Sequence, residues 1–373
     1  MQIKNVKVEL VDKISRLVLK RITTDKGECF NRILAVSNGI YSCERKRLNH
    51  GKSVFNSIFQ TFHLNWDKQE GEWDFKGLKK ARQHAKKNKR FFIPYKQRNE
   101  EQWNKLNWKE AEREFKTFQK KESIVPYPIP LTASLEEWII KKKEALNLLE
   151  PHQELIAIFS SKHLNINDFP ALIKEELNNS LFLGLCCYEL KTSLEKTNLS
   201  LLNSINSSFK IGDKTALICY FDYPKILTRN SYVAGSFAYC CFAGDVFSEK
   251  AHFPRSMSPE SAEKMMNRKL TDYYLYDIKE KKFTKSLSQK EWHGFSLTDN
   301  FMEKISVSEG LNSYDSIRWL NHFFQQRDLN LINELLISKK EIVNTIKNYT
   351  GWSVFWDTAK PTSLIVQKTL SSK

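Results

Sequence analysis

The pattern of apolar and polar positions becomes regular from Ile124 onward. Continuous apolar runs, LIAIFS, SLFLGLCCY and TALICYF, alternate with segments that predict helices. One such helix, Leu135–Leu149, has Ser134 as its N-cap and Glu137 in the capping-box position. Short apolar runs of this kind are typical of strands buried on both faces of a parallel sheet. The chain therefore predicts strand–helix units and an α/β fold, and periodicity alone allows either a barrel or a doubly wound open sheet.

The first third of the chain is less regular. The segments VKVELV and RLVLKRI predict strands joined by polar turns. Residues 61–123 are rich in charge, Trp and Phe, and predict helices near Lys76–Lys89 and Trp108–Lys121 with FFIPY as a strand between them. We therefore divide the chain into a β-rich segment (1–60), a charged helical region or insertion (61–123), a regular α/β region (124–340) and a C-terminal extension (341–373).

Composition limits the class of protein. A chain of 373 residues with 41% hydrophobic content is long enough for one large core. The longest apolar runs, such as Leu181–Cys187, are too short to span a bilayer, which needs roughly 20 residues. Charged residues interrupt the first positions, so no secretory signal is expected. The pairs Cys186-Cys187 and Cys240-Cys241 lie in apolar runs, which indicates buried reduced thiols and a cytoplasmic location.

The net charge of +16 comes from clusters of Lys and Arg. Such an excess favours a polyanionic partner, nucleic acid first and an anionic membrane surface second. The alternative for any one cluster is an ordinary solvated helix face. The densest cluster supplies the predicted nucleic-acid-binding residues: Lys79, Lys80, Arg82, Lys86, Lys87, Lys89 and Arg90.

One stretch has the pattern of an active-site strand. Residues Gly235–Pro254, GSFAYCCFAGDVFSEKAHFP, begin with an apolar run that ends near Asp245 and then become polar. A buried parallel strand that presents its last side chains to a catalytic face has this pattern. Asp245 and Ser248 are therefore candidate site residues.

This stretch resembles the motif G-x-D-x-F-D of the tRNA-guanine transglycosylase family, in which the final Asp is the covalent nucleophile. The order of IVPYPIPLTASLEEWIIKKKEAL, LIAIFSS, LFLGLCCYEL, ALICYFDYPKIL and AGDVFS is similar to successive barrel segments of that family. DIKEKKF and YDSIRWLNHFFQQRDLNLINELL resemble its post-barrel hairpin and closing helix. The resemblance covers roughly residues 124–340. It implies a (β/α)8 barrel with an N-terminal β-rich decoration and a C-terminal helical extension.

The departures from the family pattern fall on its chemistry. Asp245 and Phe247 keep the motif, but Ser248 stands at the nucleophile position, and a Ser hydroxyl is a poor nucleophile without an adjacent base. Ser160-Ser161 replaces the Gln-Gly that contacts guanine, and only Gly184 remains of the Gly-rich base-binding segment, with Glu189 in the Glu position. We expect a degenerate site around these residues and no catalysis by the chain alone.

The family's structural zinc is not expected either. Its C-x-C-x-x-C pattern corresponds here to Glu291–Leu297, which contains no cysteine. His322 lies near the position of the family's zinc histidine, but a single His on an apolar helix is usually a packed residue. We therefore predict no metal and no cofactor.

Within the family, the chain resembles the non-catalytic accessory subunit of the enzyme that exchanges guanine for queuine at the tRNA wobble position. The resemblance implies two partners, a catalytic transglycosylase subunit and tRNA, with no integral membrane association. It adds the mitochondrial surface as a second location beside the cytoplasm. Two alternatives stay open. The first is a divergent active transglycosylase with Asp245 displaced into the nucleophile role, which an intact purine pocket would favour. The second is a basic RNA-binding scaffold without an enzyme partner.

Overall fold

The structure is a computed structural model. It describes residues 2–12, 15, 17–38, 40–41, 57–64, 66–67, 72–73, 75–160, 162–163, 167–186, 205–223, 244–249, 260, 263, 275–277, 280–284, 313–340 and 342–349. The strands, in chain order, are β1 Ile3–Val11, β2 Val18–Thr24, β3 Gly27–Phe30, β4 Ile33–Leu34, β5 Phe59–Leu64, β6 Trp66–Asp67, β7 Glu72–Trp73, β8 Phe91–Lys96, β9 Ile124–Pro128, β10 Glu154–Ser160, β11 Phe182–Cys186, β12 Leu217–Tyr223, β13 Val246–Glu249, β14 Leu275–Asp277 and β15 Lys282–Thr284. The helices are α1 Phe75–Lys87, α2 Glu100–Lys105, α3 Trp108–Gln119, α4 Leu135–Leu146, α5 Phe169–Asn179, α6 Ser313–Ile337 and α7 Ile342–Lys347.

A six-stranded parallel sheet forms the centre of the molecule, in the order β4-β13-β12-β11-β10-β9. One row of paired residues, Ile158, Gly184, Cys219 and Val246, crosses four of these strands. Helices α4 and α5 connect β9 to β10 and β10 to β11, as parallel pairing requires. The predicted α/β fold with a parallel sheet is confirmed.

A second parallel pair, β5 and β8, continues this sheet beyond β4. An isolated parallel bridge joins Val36 to Gln60, with hydrogen bonds from Val36 N to the Phe59 carbonyl (3.0 Å) and from Thr61 N to the Val36 carbonyl (3.1 Å). Strand β8 lies beside β9, at the opposite end of the strand order. No strand ladder joins β8 to β9 within the described residues, so a closed barrel is not found there.

The β5–β8 pair also packs face to face with the six-stranded sheet. The ring of Phe59 meets that of Phe182 edge-on at 6.3 Å between centroids, and Tyr95 lies over Phe221 at 4.2 Å. All four rings are fully buried. These aromatic contacts fill the space between the β5–β8 pair and strands β11 and β12 with close-packed rings.

The β-rich N-terminal segment forms an antiparallel sheet, β1-β2-β3. It lies against the amino-terminal ends of the parallel strands, where the Thr215 amide donates to the Val6 carbonyl and the Val8 amide donates to the Asp213 carbonyl. The sheet covers that end of the strands, so the opposite, carboxyl-terminal end is where a ligand could approach the strand tips.

Helix α6 completes the hydrogen bonding of the short strand β4 at the backbone groups that the bridge to β5 leaves unpaired. The side chain of Gln326 accepts from Leu34 N (2.7 Å) and donates to the Arg32 carbonyl (3.2 Å). Asn333 donates to the Asn31 carbonyl (2.6 Å) and accepts from the Arg32 guanidinium (2.9 Å). Backbone groups left unpaired along a strand need partners, and these amide side chains supply them.

Several predicted elements are present where expected. The hairpin expected at DIKEKKF is β14–β15, and the helix expected over residues 314–336 is α6. The capping box of Ser134 and Glu137 is formed at the start of α4. His322 is buried on α6, as predicted. In the part of the chain that the structure describes, no helix is long and apolar enough to cross a bilayer.

One local prediction was wrong. The apolar run before Asp245 led us to place this residue near the end of a strand, whereas β13 begins at Val246 and Asp245 precedes it. Gly244 marks this strand entry, because a Cβ there would come within 2.6 Å of the Phe247 and Tyr220 rings. Residues 237–243, which carry the apolar run, lie outside the described residues.

Candidate functional site

Asp245 is part of a buried charge network at the amino-terminal end of the sheet. One carboxylate oxygen accepts from Lys20 Nζ (2.7 Å) and from the Ile218 amide (2.8 Å), and the other accepts from Asn31 Nδ2 (2.7 Å). Lys20 Nζ also donates to the Ala216 carbonyl at 2.8 Å. Lys20 and Asp245 are fully buried.

The Lys20–Asp245 pair holds strands β2, β12 and β13 together. Burial lowers the pKa of Lys20, and the carboxylate of Asp245 opposes that shift. A nucleophilic carboxylate needs a free oxygen facing substrate, and both oxygens of Asp245 are taken by donors within the protein. Residues at the amino-terminal end of parallel strands serve stability, whereas catalytic groups lie at the carboxyl-terminal end.

Ser248 lies inside the fold. Its hydroxyl is 2.5 Å from the hydroxyl of Thr61 on β5, and both side chains are buried. The Ser248–Thr61 hydrogen bond joins the two parallel sheets. At this position the structure places a hydroxyl pair, which has no charge to attack a ribose at pH 7.

Gly184 lies in the middle of β11, and its surroundings are filled. A Cβ at this position would come within 2.7 Å of the Phe221 ring and 3.1 Å of Ile158. Tyr95 covers the other side of Phe221, and its hydroxyl is 2.7 Å from Nδ1 of His63. Gly184 therefore provides room for Phe221, and the rings of Phe221 and Tyr95 occupy the space beside it.

Ser160 lies at the end of β10, where its amide donates to Nδ1 of His163 (3.0 Å). His163 is fully buried, and its Nε2 is 3.1 Å from the Pro130 carbonyl, so a neutral ring links the ends of β9 and β10. Burial lowers the pKa of His163 to about 4. Glu189, the last residue of the predicted degenerate site, lies outside the described residues.

The structure thus brings Ser248 and Ser160 into the parallel sheet but places Asp245 at its amino-terminal end. Sequence analysis missed Lys20, Thr61, Tyr95 and His163. Lys20 gave a usable signal, because a lysine in the apolar run LVLKRI must find a buried carboxylate if its neighbours are in the core. Thr61, Tyr95 and His163 gave none, since their roles depend on contacts far along the chain.

The predicted nucleic-acid-binding residues lie on or next to α1. The helix buries Leu78, Ala81 and Ala85 and turns its lysines outward. Five of the seven predicted residues are exposed and form no ion pair within the described residues: Lys79, Lys80, Lys86, Lys87 and Lys89. Lys76 extends the same face by one turn. These lysines make α1 a continuous basic surface.

The two predicted arginines have other roles. Arg82 donates to both carboxylate oxygens of Glu122, at 2.9 and 3.0 Å from its Nε. Glu122 is buried just beyond the end of α3, and burial raises its pKa, while Arg82 opposes that shift. Arg90 is buried and donates to the Ser57 carbonyl at 3.0 Å. Their side chains fix α1 within the molecule, although the Arg82 side chain is still 28% exposed.

A groove of about 720 Å³ runs between α1 and the end of α3. Its rim carries Lys76, Lys79, Lys120 and Lys121, and its floor is formed by Phe75, Leu78 and Phe118. The Arg82–Glu122 pair lies in the wall and connects the two helices. We call this surface the basic groove.

A line of cations on α3 adjoins the basic groove. Its members, Lys109, Arg113, Lys116 and Lys120, are exposed and recur every three to four residues along one side of the helix. Glu112, beside this line, is paired with Lys141 at 2.9 Å. The helices after β5 and β8 therefore form one positively charged side of the molecule, the most extensive candidate site among the described residues.

No group of three or more His, Cys, Asp or Glu side chains that could hold a metal ion occurs within the described residues.

Neither the protein-family models nor the curated proteins searched contain a match to this chain.

We expect Asp245→Ala to lower the free energy of unfolding by about 3–5 kcal/mol, because it leaves Lys20 buried without its carboxylate. The double substitution Lys20→Met with Asp245→Leu removes both charges and should be more stable than Asp245→Ala. Urea unfolding measures the differences. If Asp245→Ala were as stable as the wild-type protein, the Lys20–Asp245 pair would not have the structural role described here.

We expect His163 to make the protein sensitive to acid. Because the folded-state pKa of about 4 lies below the ordinary value of 6.5, the unfolded chain binds the extra proton between these pH values. Stability is therefore lost as the pH falls from 6.5 to 4, by about 3 kcal/mol from this residue. His163→Gln should be less stable at neutral pH but show a shallower decline. If urea unfolding showed that the stability of His163→Gln falls with pH as steeply as that of the wild type, this expectation would be wrong.

Proposed function

We propose that this protein is a non-catalytic RNA-binding subunit of a tRNA-guanine transglycosylase assembly. The observation that carries the proposal is the basic side of the molecule, where exposed lysines form no ion pair within the described residues: Lys79, Lys80, Lys86 and Lys87 on α1, and Lys109 and Lys116 on α3. Phosphate contacts by Lys and Arg supply most of the affinity in such interfaces. The tRNA would lie along this side, and the subunit would orient it for a catalytic partner.

The strand arrangement supports a barrel of the kind that this proposal implies. Eight parallel strands follow one another from β9 through β13, β4 and β5 to β8, and β8 lies beside β9. The Phe59–Phe182 and Tyr95–Phe221 ring contacts each join strands four positions apart in this order, and the Ser248–Thr61 hydrogen bond joins β13 to β5 across β4. We propose that β8 and β9 close the ring and that the helices form its outer layer.

The surroundings of Asp245 and Gly184 favour the non-catalytic subunit over a divergent active enzyme. An active enzyme would need a carboxylate free to attack the ribose and room for a purine beside Gly184. Asp245 is held by Lys20, Asn31 and the Ile218 amide. The Phe221 ring fills the space beside Gly184, and Tyr95 packs against Phe221, which leaves little room there for a purine. The remaining alternative, an RNA-binding scaffold without an enzyme partner, is distinguished by whether a catalytic homologue co-purifies with the chain.

We expect the triple variant Lys79→Glu, Lys80→Glu, Lys86→Glu to bind tRNA at least tenfold more weakly. Each lost phosphate contact lowers the slope of log affinity against log salt by roughly 0.7–0.9, so the slope should fall by about 2. The matched control is Lys4→Glu, Lys7→Glu, Lys214→Glu, which makes the same charge change at exposed lysines near the antiparallel sheet. Equal losses in both variants would mean that net charge, and not the α1 surface, determines binding.

We expect the isolated chain to show no guanine exchange and no covalent tRNA adduct, because neither Ser248 nor Asp245 offers a free carboxylate. In a complex with a catalytic homologue, Ser248→Ala should leave the exchange rate nearly unchanged. Radiolabelled guanine incorporation measures the exchange, and denaturing gels detect the adduct. Exchange by the isolated chain would overturn the assignment of a non-catalytic role.

A further inference from the structure

The basic groove has an apolar floor as well as a charged rim. Phe75, the first residue of α1, is 41% exposed and has no ring contact within the described residues. Leu78 and Phe118, which also line the groove, are buried. A surface that contacts only the phosphates of a duplex does not need an exposed aromatic ring. An unpaired base, in contrast, can stack on such a ring.

The charges around Phe75 are arranged to follow a nucleic acid backbone. Lys76 and Lys79 lie on one side of the groove, and Lys120 and Lys121 on the other. Along α3, the cations from Lys109 to Lys120 recur at intervals of about 4.5–6 Å along the helix axis, given a rise of about 1.5 Å per residue. Single-strand-binding sites combine such a charged track with aromatic stacking platforms.

The groove is held in shape by its own wall. The guanidinium of Arg82 is bonded to both oxygens of Glu122, so it is engaged within the protein and fixes α1 against the end of α3. Among the described residues that line the groove, Glu122 is the one carboxylate, and Arg82 balances its charge. The exposed charges that these described residues contribute are therefore all positive, which favours a polyanion over a segment of mixed charge.

We propose that the basic groove binds unpaired nucleotides, with one base stacked on Phe75 and the flanking phosphates held by Lys79, Lys120 and Lys121. The inference rests on the proposed RNA binding and adds that the RNA bound here is single-stranded or looped. It also assigns a role to Phe75, which packing does not explain.

The test compares binding of a short oligouridine and of an RNA duplex of the same length, by fluorescence anisotropy at several salt concentrations. The wild-type protein should prefer the oligouridine. Phe75→Ala should weaken oligouridine binding about tenfold and leave the salt slope unchanged, because the ring carries no charge. Phe75→Tyr should retain the affinity.

Two controls distinguish a specific effect of the Phe75 ring from a general loss of exposed apolar surface or of stability. Ile139→Ala truncates a similarly exposed apolar residue on α4 (45%), outside the groove, and should change neither affinity. Thermal unfolding of Phe75→Ala should match that of the wild type, since the side chain is partly solvated.

Three results would overturn the inference: equal or tighter binding of the duplex, oligouridine binding that Phe75→Ala leaves unchanged, or competition by poly-glutamate as strong as that by oligouridine. The last would indicate an acidic protein segment as the occupant. If the wild-type protein bound neither tRNA nor any of these RNAs, the proposed function itself would fail.

Discussion

A single buried ion pair, Lys20 with Asp245, connects the antiparallel sheet to the parallel one. A charge taken out of water is tolerated only when a partner and further hydrogen bonds compensate it. Asn31, the Ile218 amide and the Ala216 carbonyl supply those bonds. Satisfying one lysine therefore fixes the antiparallel sheet against the entries of β12 and β13, whose bonded residues follow Lys20 by 196 and 225 positions.

The interior of the molecule and its outer helices differ in which polar groups already have partners within the protein. Its interior is occupied by groups that bind one another: the Ser248–Thr61 hydroxyls, the Tyr95 and Phe221 rings, and the neutral ring of His163. The outer helices α1 and α3 carry the lysines that remain available to a partner. A fold of this type usually presents its chemistry at the carboxyl ends of its strands. Here the exposed lysines lie on the helical layer, which is where we propose that RNA binds.

The sequence was most informative where local rules decide the structure. The Ser134 capping box, the hairpin near residue 280 and the apolar runs of β10, β11 and β12 follow from contacts within a few residues, and each was predicted. Asp245 was misplaced because Gly244 interrupts an apolar run, and only pairing with β12 and β4 fixes the strand start at Val246. Arg82 and Arg90 looked like exposed cations because their partners, Glu122 and the Ser57 carbonyl, are 40 and 33 residues away.

The dependence of β4 on helix α6 also affects the order in which parts of the protein can fold. The amide side chains that satisfy residues 31–34 follow them by about 300 residues, as the pairing of Arg32 with Asn333 illustrates. Contacts of such sequence separation form late, because a long loop must close before they contribute. During synthesis, which proceeds at about 5–20 residues per second, the edge of β4 would stay uncovered until nearly the whole chain has emerged. The nascent protein therefore presents an open sheet edge for tens of seconds, a period in which chaperone binding or pairing with another strand competes with completion of the fold.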